Sequence, residues 1–451
     1  MMATTHRNRD PIDRPAAPAP DDSGRPRSAR RRRLIVAGAA FATASIAGCA
    51  MPGAGGAAPK GRVVVVGGGY GGATAARYLK LWGDPALQVT LVDRNAQFVS
   101  CPLSNLVVGG HRVLAELTRG YDGLRAAGVR VLRAEVAAVD AGARELRLAD
   151  GSRLPYDRLV LSPGIDFVPG TIAGLDAAIA SERVLHAWKA GPQTTALRSR
   201  LAAIPDGGVV LMSIPLAPYR CPPGPYERAC LVASYLKVAK PRSKLIVCDA
   251  NPDIQSKKAL FLKAWQDHYP GLIDYRPNAA LRELTADGTA KFEFEDIKPA
   301  LLNVLPPMRA GDIARQAGAV NVNDRWCAVR WQTLESTALP AVHVLGDATM
   351  SAPAMPKSGH MANQHAKVAA AAILAALDGR APNPAPLVMN TCYSFVTATD
   401  VVHVASVHQY DAADATFKAV PGSGGVSSAA SELEGRYAWS WARNIWSDML
   451  G

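Results

Sequence analysis

The sequence predicts an α/β protein built on parallel sheets, and three observations carry that prediction. The β-branched run Arg62–Val66 leads straight into Gly67-Gly68-Gly69-Tyr70-Gly71-Gly72, with the helical pattern Ala73–Leu81 behind it. A second run, Gln88–Val92, ends in Asp93 and closes a βαβ unit. Short apolar runs then keep alternating with helix-like stretches as far as residue 377.

The elements follow in order. Residues 52–59, rich in Gly, Ala and Pro, read as a linker into the fold. Val129–Leu132 and Arg158–Leu161 continue the first block of strands. Gly207–Met212 opens a second block, followed by the helix-like Tyr226–Val238 and the strand Lys244–Val247. Val342–Leu345 is a further buried strand, and the helix-like Asn363–Leu377 comes after a loop. Pro382–Pro386 reads as a linker to a small C-terminal region, in which the Gly/Ser-rich segment 419–431 is expected to be loop.

A chain of 451 residues has room for two or three domains and a sizeable core. The net charge of +12 raises nucleic acid as a partner, but its distribution argues against one: residues 1–33 hold nine Arg against four Asp, and no Lys/Arg stripe interleaved with aromatics follows. The mildly basic remainder suits an acidic partner or an anionic substrate. Arg30 to Arg33 stand before Leu34–Ala47, an uncharged run of signal-peptide length that is too short and too weakly apolar for a membrane span. This cluster resembles a twin-arginine export signal and predicts a periplasmic protein; a disordered basic tail is the alternative. Ile46-Ala47-Gly48-Cys49 resembles a lipobox, which makes Cys49 a candidate lipid anchor, with ordinary cleavage nearby as the alternative.

Gly67-x-Gly69-x-x-Gly72 alone is a weak motif. A strand before it, a helix after it and Asp93 about 20 residues beyond turn it into a dinucleotide-binding fingerprint of a Rossmann-like domain. Gly67 permits the tight turn, Gly69 lets backbone approach a pyrophosphate, and Gly72 lets the helix pack close with its N-terminal dipole on the phosphates. Asp93 is placed to accept hydrogen bonds from the adenosine ribose. Two later segments select FAD over NAD. Tyr156-Asp157-Arg158-Leu159-Val160-Leu161-Ser162-Pro163-Gly164 and Val344-Leu345-Gly346-Asp347-Ala348 resemble the second strand motif and the late Gly-Asp motif of disulfide-reductase-like flavoproteins. In those proteins the aspartate matching Asp347 holds the ribityl chain. With the fingerprint, these motifs outline a discontinuous FAD domain.

The second block lacks the glycine loop that an NAD(P)H site needs. Its strand runs into Ser213-Ile214-Pro215-Leu216-Ala217-Pro218, with no glycine to admit a pyrophosphate and prolines that remove N–H donors. Asp249 still ends the next strand, so a second Rossmann-like domain is expected without its ligand.

The chain has seven cysteines and no Cys-x-x-Cys-His, so any haem belongs to another polypeptide; no spacing suggests zinc or an iron–sulfur cluster. Cys221 lies on a proline-stiffened loop before a helix, a placement that suits thiolate chemistry, although a buried structural thiol fits it too. Cys101 and Cys392 are two more candidates. Cys230, Cys248 and Cys327 sit in apolar contexts and read as packing residues.

Four motifs carry a resemblance: Cys221-Pro222-Pro223-Gly224-Pro225-Tyr226-Glu227, Asn390-Thr391-Cys392-Tyr393-Ser394, Pro356-Lys357-Ser358-Gly359 with the helix after it, and Tyr437-Ala438-Trp439-Ser440-Trp441 near the C-terminus. Together they resemble the flavocytochrome c sulfide dehydrogenase flavoprotein family, from about Arg62 to the end of the chain. The resemblance implies a redox-active disulfide between Cys221 and Cys392 beside the flavin, and FAD attached covalently through Cys101. It implies oxidation of sulfide to zero-valent sulfur or polysulfide, with sulfide or polysulfide as substrate and electrons passed to a separate c-type cytochrome subunit in a heterodimer. Glu227 is a candidate proton acceptor, with a surface or helix-capping role as the alternative. Lys357 is a candidate partner for negative charge at the flavin ring, with an ordinary exposed lysine as the alternative. Gly164 and Gly346 complete the cofactor-binding set.

The expected organisation is signal and linker over 1–59, FAD domain over 60–165 and 305–386, second Rossmann-like domain over 166–304, and a C-terminal domain over 387–451. Rival readings are a sulfide:quinone reductase and a non-catalytic flavoprotein partner of a sulfur-oxidising complex. The terminal segment bearing Tyr437, Trp439, Trp441 and Trp446 reads as an amphipathic helix that packs inward, with docking of a cytochrome or a membrane surface as the alternative.

Overall fold

The computed structural model describes residues 60–451; the predicted signal, the linker and Cys49 lie outside the described residues. Arg62–Val66 forms an inner strand of a seven-stranded sheet, and its four consecutive valines are all buried, as a parallel strand covered on both faces requires. Gln88–Asp93 and then Arg130–Arg133 pair in parallel on one side of it, and Arg158–Leu161 on the other. The chain then leaves and returns through Val329–Arg330, Glu335–Ser336 and Val342–Val344, the last of which pairs in parallel with Arg158–Leu161. The sheet is thus completed by sequence lying beyond the second sheet.

The second sheet has the order Ile273–Arg276, Lys244–Asp249, Val209–Ile214, Leu301–Val304, all parallel. Its leading strand starts two residues later than the sequence suggests and runs on to Ile214, because Gly207 (φ +97°) turns the chain there. The long helix Gly224–Ala239 follows it and buries nearly its whole first two turns.

The C-terminal region is an antiparallel sheet of Leu387–Phe395, Val401–Asp411 and Thr416–Ala419. The segment expected as loop is not entirely so, since Gly425–Val426 pairs with Val404 and Ala405 on the sheet edge. The last helix, Glu432–Leu450, is capped by Ser431 and buries Ala438, Ala442, Ile445, Trp446, Met449 and Leu450 at helical spacing. Trp446 donates its indole N–H to the hydroxyl of Tyr70 at 3.2 Å, tying the chain's end to the start of the glycine-loop helix Tyr70–Trp82. No helix among the described residues is long and apolar enough to cross a membrane.

Candidate active site

The three fingerprint glycines do three different jobs. Gly67 holds φ +99° and donates its amide to Val92 O at 2.9 Å, making the turn between strand and helix. A Cβ on Gly72 would fall 1.8 Å from Gly67 O, so only glycine lets the helix approach the strand. A Cβ on Gly69 would meet no atom within 4 Å, because this residue faces open space in a cavity of about 590 Å³. The helix that starts here has no side-chain cap, which leaves its first N–H groups available to an anion. Asp93 lines the same cavity and accepts from the amides of Gly68 and Asn95, each at 2.6 Å.

Gly164 (φ +65°), Gly346 (φ +64°) and Asp347 line the cavity from the strands beside the glycine loop. Asp347 Oδ1 is buried without a hydrogen-bond partner, and burial pushes this carboxyl's pKa up against the opposing pull of Arg220 and Lys357. An orphaned buried acceptor beside a glycine cradle fits a ligand with hydroxyls and phosphates, as FAD has.

Cys221 and Cys392 line the same cavity, and both are thiols in this structure. Cys221 sits in the left-handed region (φ +59°), a conformation costing on the order of 1–3 kcal/mol in a non-glycine residue. It is held there by its amide, which donates to Lys357 O at 2.9 Å. Its sulfur packs against Gly224, where a Cβ would come within 2.8 Å of it. Cys392 Sγ accepts from Asn390 Nδ2 at 3.3 Å, and Asn390 Oδ1 accepts from Ser358 Oγ at 2.6 Å. The adjacent residues Lys357 and Ser358 therefore tie both cysteine segments together. Burial pushes both thiols up; at Cys221 the charges of Cys392 and Glu227 add to this and Arg220 and Lys257 counter it, whereas at Cys392 Lys257 is the largest opposing influence.

Glu227 is neither exposed nor a cap. It is buried at the cavity wall, accepting from Phe395 N at 3.0 Å and Asn105 Nδ2 at 2.8 Å, and burial pushes its pKa up. Cys101 also lines the cavity, with Ala190 N 3.4 Å from its sulfur.

Lys357 stands behind the Asp347 turn. It is buried, so the exposed alternative fails, but it is not among the cavity-lining residues. Its ammonium donates to Asp347 O at 3.1 Å and to Thr349 O, and lies 3.9 Å from the Trp326 ring centroid. Two carbonyls and an aromatic face satisfy the charge inside the protein, so Lys357 braces the Asp347 turn.

Sequence reasoning missed three residues. Asn105 bridges Glu227 to Arg228 Nε (2.9 Å), and Arg228 goes on to bond His186 O, Ala187 O and Asn303 Oδ1. The signal for Arg228 was present, as two adjacent opposite charges inside an otherwise apolar helix. Lys257, whose ammonium reaches the Cys392 strand, lies in a polar Gln-Ser-Lys-Lys stretch that carried no such signal.

In the second domain, Asp249 is fully buried. Tyr226 OH and Tyr275 OH donate to its Oδ2 at 2.8 and 2.9 Å, and Asn251 donates to its Oδ1. The acid that would face a second nucleotide's ribose is already saturated by protein.

Family comparisons agree with this geometry. Profiles described as the central region of the sulfide dehydrogenase [flavocytochrome c] flavoprotein chain and the flavocytochrome c sulphide dehydrogenase flavin-binding region match residues 194–306 and 384–450. A pyridine nucleotide-disulphide oxidoreductase profile matches 61–202. The sulfide dehydrogenase [flavocytochrome c] flavoprotein chain of Chlorobaculum thiosulfatiphilum is 59% identical over 46 residues, which are 10% of this chain and 94% of that sequence. The chain belongs to the flavocytochrome c sulfide dehydrogenase flavoprotein family.

It is an FAD-dependent oxidoreductase of that family. Solved structures place its fold among related flavoproteins. The sulfide:quinone oxidoreductase of Aquifex aeolicus superposes with a TM-score of 0.69 at 17% identity, covering 86% of this chain and 91% of the other. The water-forming NADH oxidase of Lactobacillus brevis gives 0.58 at 16% identity over 86% and 91%. At such identities the likeness speaks for the fold alone.

Proposed function

We propose that this chain oxidises sulfide to zero-valent sulfur or polysulfide through a Cys221–Cys392 disulfide and FAD, passing electrons to a c-type cytochrome on a separate polypeptide. The observation carrying this reading is the convergence of Cys221, Cys392 and Glu227 on the cavity that the glycine cradle and Asp347 also line. Hydrosulfide attacks one sulfur of the pair. The Cys–Cys bond breaks as a new S–S bond forms, leaving a persulfide on one cysteine and the electron pair on the other as thiolate. Glu227, its basicity raised by burial, takes the hydrosulfide proton. FAD held in this cavity would supply an acceptor for the electron pair that can be discharged one electron at a time. Gly67, Gly69 and the helix behind them would hold its pyrophosphate, Asp93 its ribose and Asp347 its ribityl chain, with Cys101 as the covalent anchor.

A cytochrome acceptor is favoured over membrane quinone by the last helix, which turns Ile445, Trp446 and Met449 inward and leaves Arg436 and Arg443 exposed. The export signal makes the complex periplasmic, with Cys49 as a candidate lipid anchor. The test is anaerobic mixing of the flavin-loaded protein with sulfide or NADH, then with oxidised c-type cytochrome or a soluble quinone. Bleaching by sulfide alone and reoxidation by cytochrome are expected; bleaching by NADH alone would overturn the reading.

A further inference from the structure

Lys257 is a buried lysine that the chemistry above does not use. It occupies the left-handed region (φ +56°) just before the helix Lys258–His268, with its side chain directed inward. Its ammonium donates to Cys392 O at 3.0 Å, Ser394 Oγ at 2.8 Å and Val402 O at 3.3 Å. All three acceptors are neutral and all belong to the hairpin that carries Cys392. Burying an ammonium on neutral partners is costly unless something nearby repays it. The ionisable groups around it are Cys392 and Cys221, Glu227 on the helix Gly224–Ala239, and Glu434 on the last helix. Lys258, next in sequence, points to solvent and pairs with Asp253 at 2.6 Å, so the two lysines have separate roles.

We propose that Lys257 is the fixed counter-charge that makes Cys392 the departing sulfur of the pair, so that hydrosulfide adds to Cys221. The proposal rests on the reading of Cys221 and Cys392 as the redox pair. The hydrosulfide sulfur bonds to Cys221 Sγ as the Cys221–Cys392 bond breaks. The electron pair stays on Cys392 Sγ near the ammonium, and the proton passes to Glu227. A sulfur that is more stable as thiolate is the better leaving group. Burial raises both thiols, but at Cys392 the ammonium of Lys257 is the largest opposing influence, with hydrogen bonds from Asn390 and Ser358 beside it and Glu227 against it. At Cys221 the charges of Cys392 and Glu227 add to burial before Arg220 and Lys257 oppose them. His360, which accepts the Thr391 amide at 3.0 Å, is kept neutral by burial at a pKa of about 4. Lys257 itself is pulled down to about 8, so its charge is present at neutral pH and fades above that value. It does not line the cavity and is a positioning residue.

The test uses the full-length, flavin-loaded Cys221→Ser protein, in which Cys392 remains a free thiol. Alkylation of Cys392 by iodoacetamide, followed by peptide mass spectrometry from about pH 6 to about pH 10, gives its ionisation profile. Adding Lys257→Met should slow labelling near neutral pH by about tenfold, one unit of midpoint shift, and Lys257→Arg should restore it. An unchanged profile with an intact flavin spectrum overturns the proposal. The wild type gives an independent check that needs no variant: after brief exposure to sulfide and alkylation, the persulfide should map to Cys221, and its appearance on Cys392 overturns the assignment alone. If the oxidised wild type yields no Cys221–Cys392 linked peptide, the redox-pair reading falls as well.

Discussion

The backbone carbonyl of Lys357 accepts the amide of Cys221 at 2.9 Å, so the turn that carries one thiol is pinned to the segment that also reaches the other. Through Ser358 and Asn390 the same two-residue segment extends to Cys392 Sγ. The two cysteines are far apart in the chain, and this link gives their approach a defined geometry.

The side chain of Lys357 braces the Asp347 turn separately from that backbone link, which makes its substitution a stability experiment. Lys357→Met leaves Asp347 O and Thr349 O without their donor and removes the contact with Trp326. Urea unfolding should register a loss of about 2–4 kcal/mol. Unchanged stability with an altered flavin potential would return Lys357 to the ring.

Gly69 and Gly72 separate ligand binding from folding. Gly69→Val places its side chain in the open cavity, so the protein should fold normally and lose its flavin absorbance. Gly72→Ala drives a methyl into Gly67 O and should cost more than about 3 kcal/mol or prevent soluble expression. Flavin content against melting temperature checks both.

Glu227 has its pKa raised by burial, which fixes the sign of its pH dependence. Its contribution to stability is complete below the unfolded-state value of about 4 and is lost as pH rises through the raised folded value. Glu227→Gln should therefore gain stability relative to wild type as pH increases. Loss of the proton acceptor should slow flavin reduction by sulfide about 100-fold and remove the acid limb of its pH profile. Denaturation and stopped-flow series across pH measure the two effects.

The saturated Asp249 predicts that NADH leaves the flavin oxidised. Tyr226→Phe with Tyr275→Phe frees one carboxylate oxygen yet supplies no glycine loop, so NADH should still fail. Bleaching by NADH in either protein would contradict the loss of that site.

Much of the FAD half was legible because its constraints are local. Four valines, three glycines and Asp93 lie within one βαβ unit, and each answers to backbone geometry. Glu227 was legible by motif, but its burial was not, since that depends on Asn105 and Phe395 arriving from distant segments. Lys257 was hidden for the same reason: a lysine beside another lysine reads as surface until the Cys392 hairpin folds over it. Lys357 was legible by motif, but its bonds to Asp347 O and Thr349 O were not, because position within a motif does not say which way a long side chain turns.

The central claim is that sulfide's electrons enter through the Cys221–Cys392 pair. The most direct measurement is anaerobic stopped-flow mixing of sulfide with flavin-loaded wild type and Cys221→Ser, with dithionite as a control for a reducible flavin. The account predicts rapid bleaching of the wild type, bleaching slowed by at least about 1000-fold in the variant, and full bleaching of both by dithionite. Bleaching of Cys221→Ser by sulfide at the wild-type rate would contradict it.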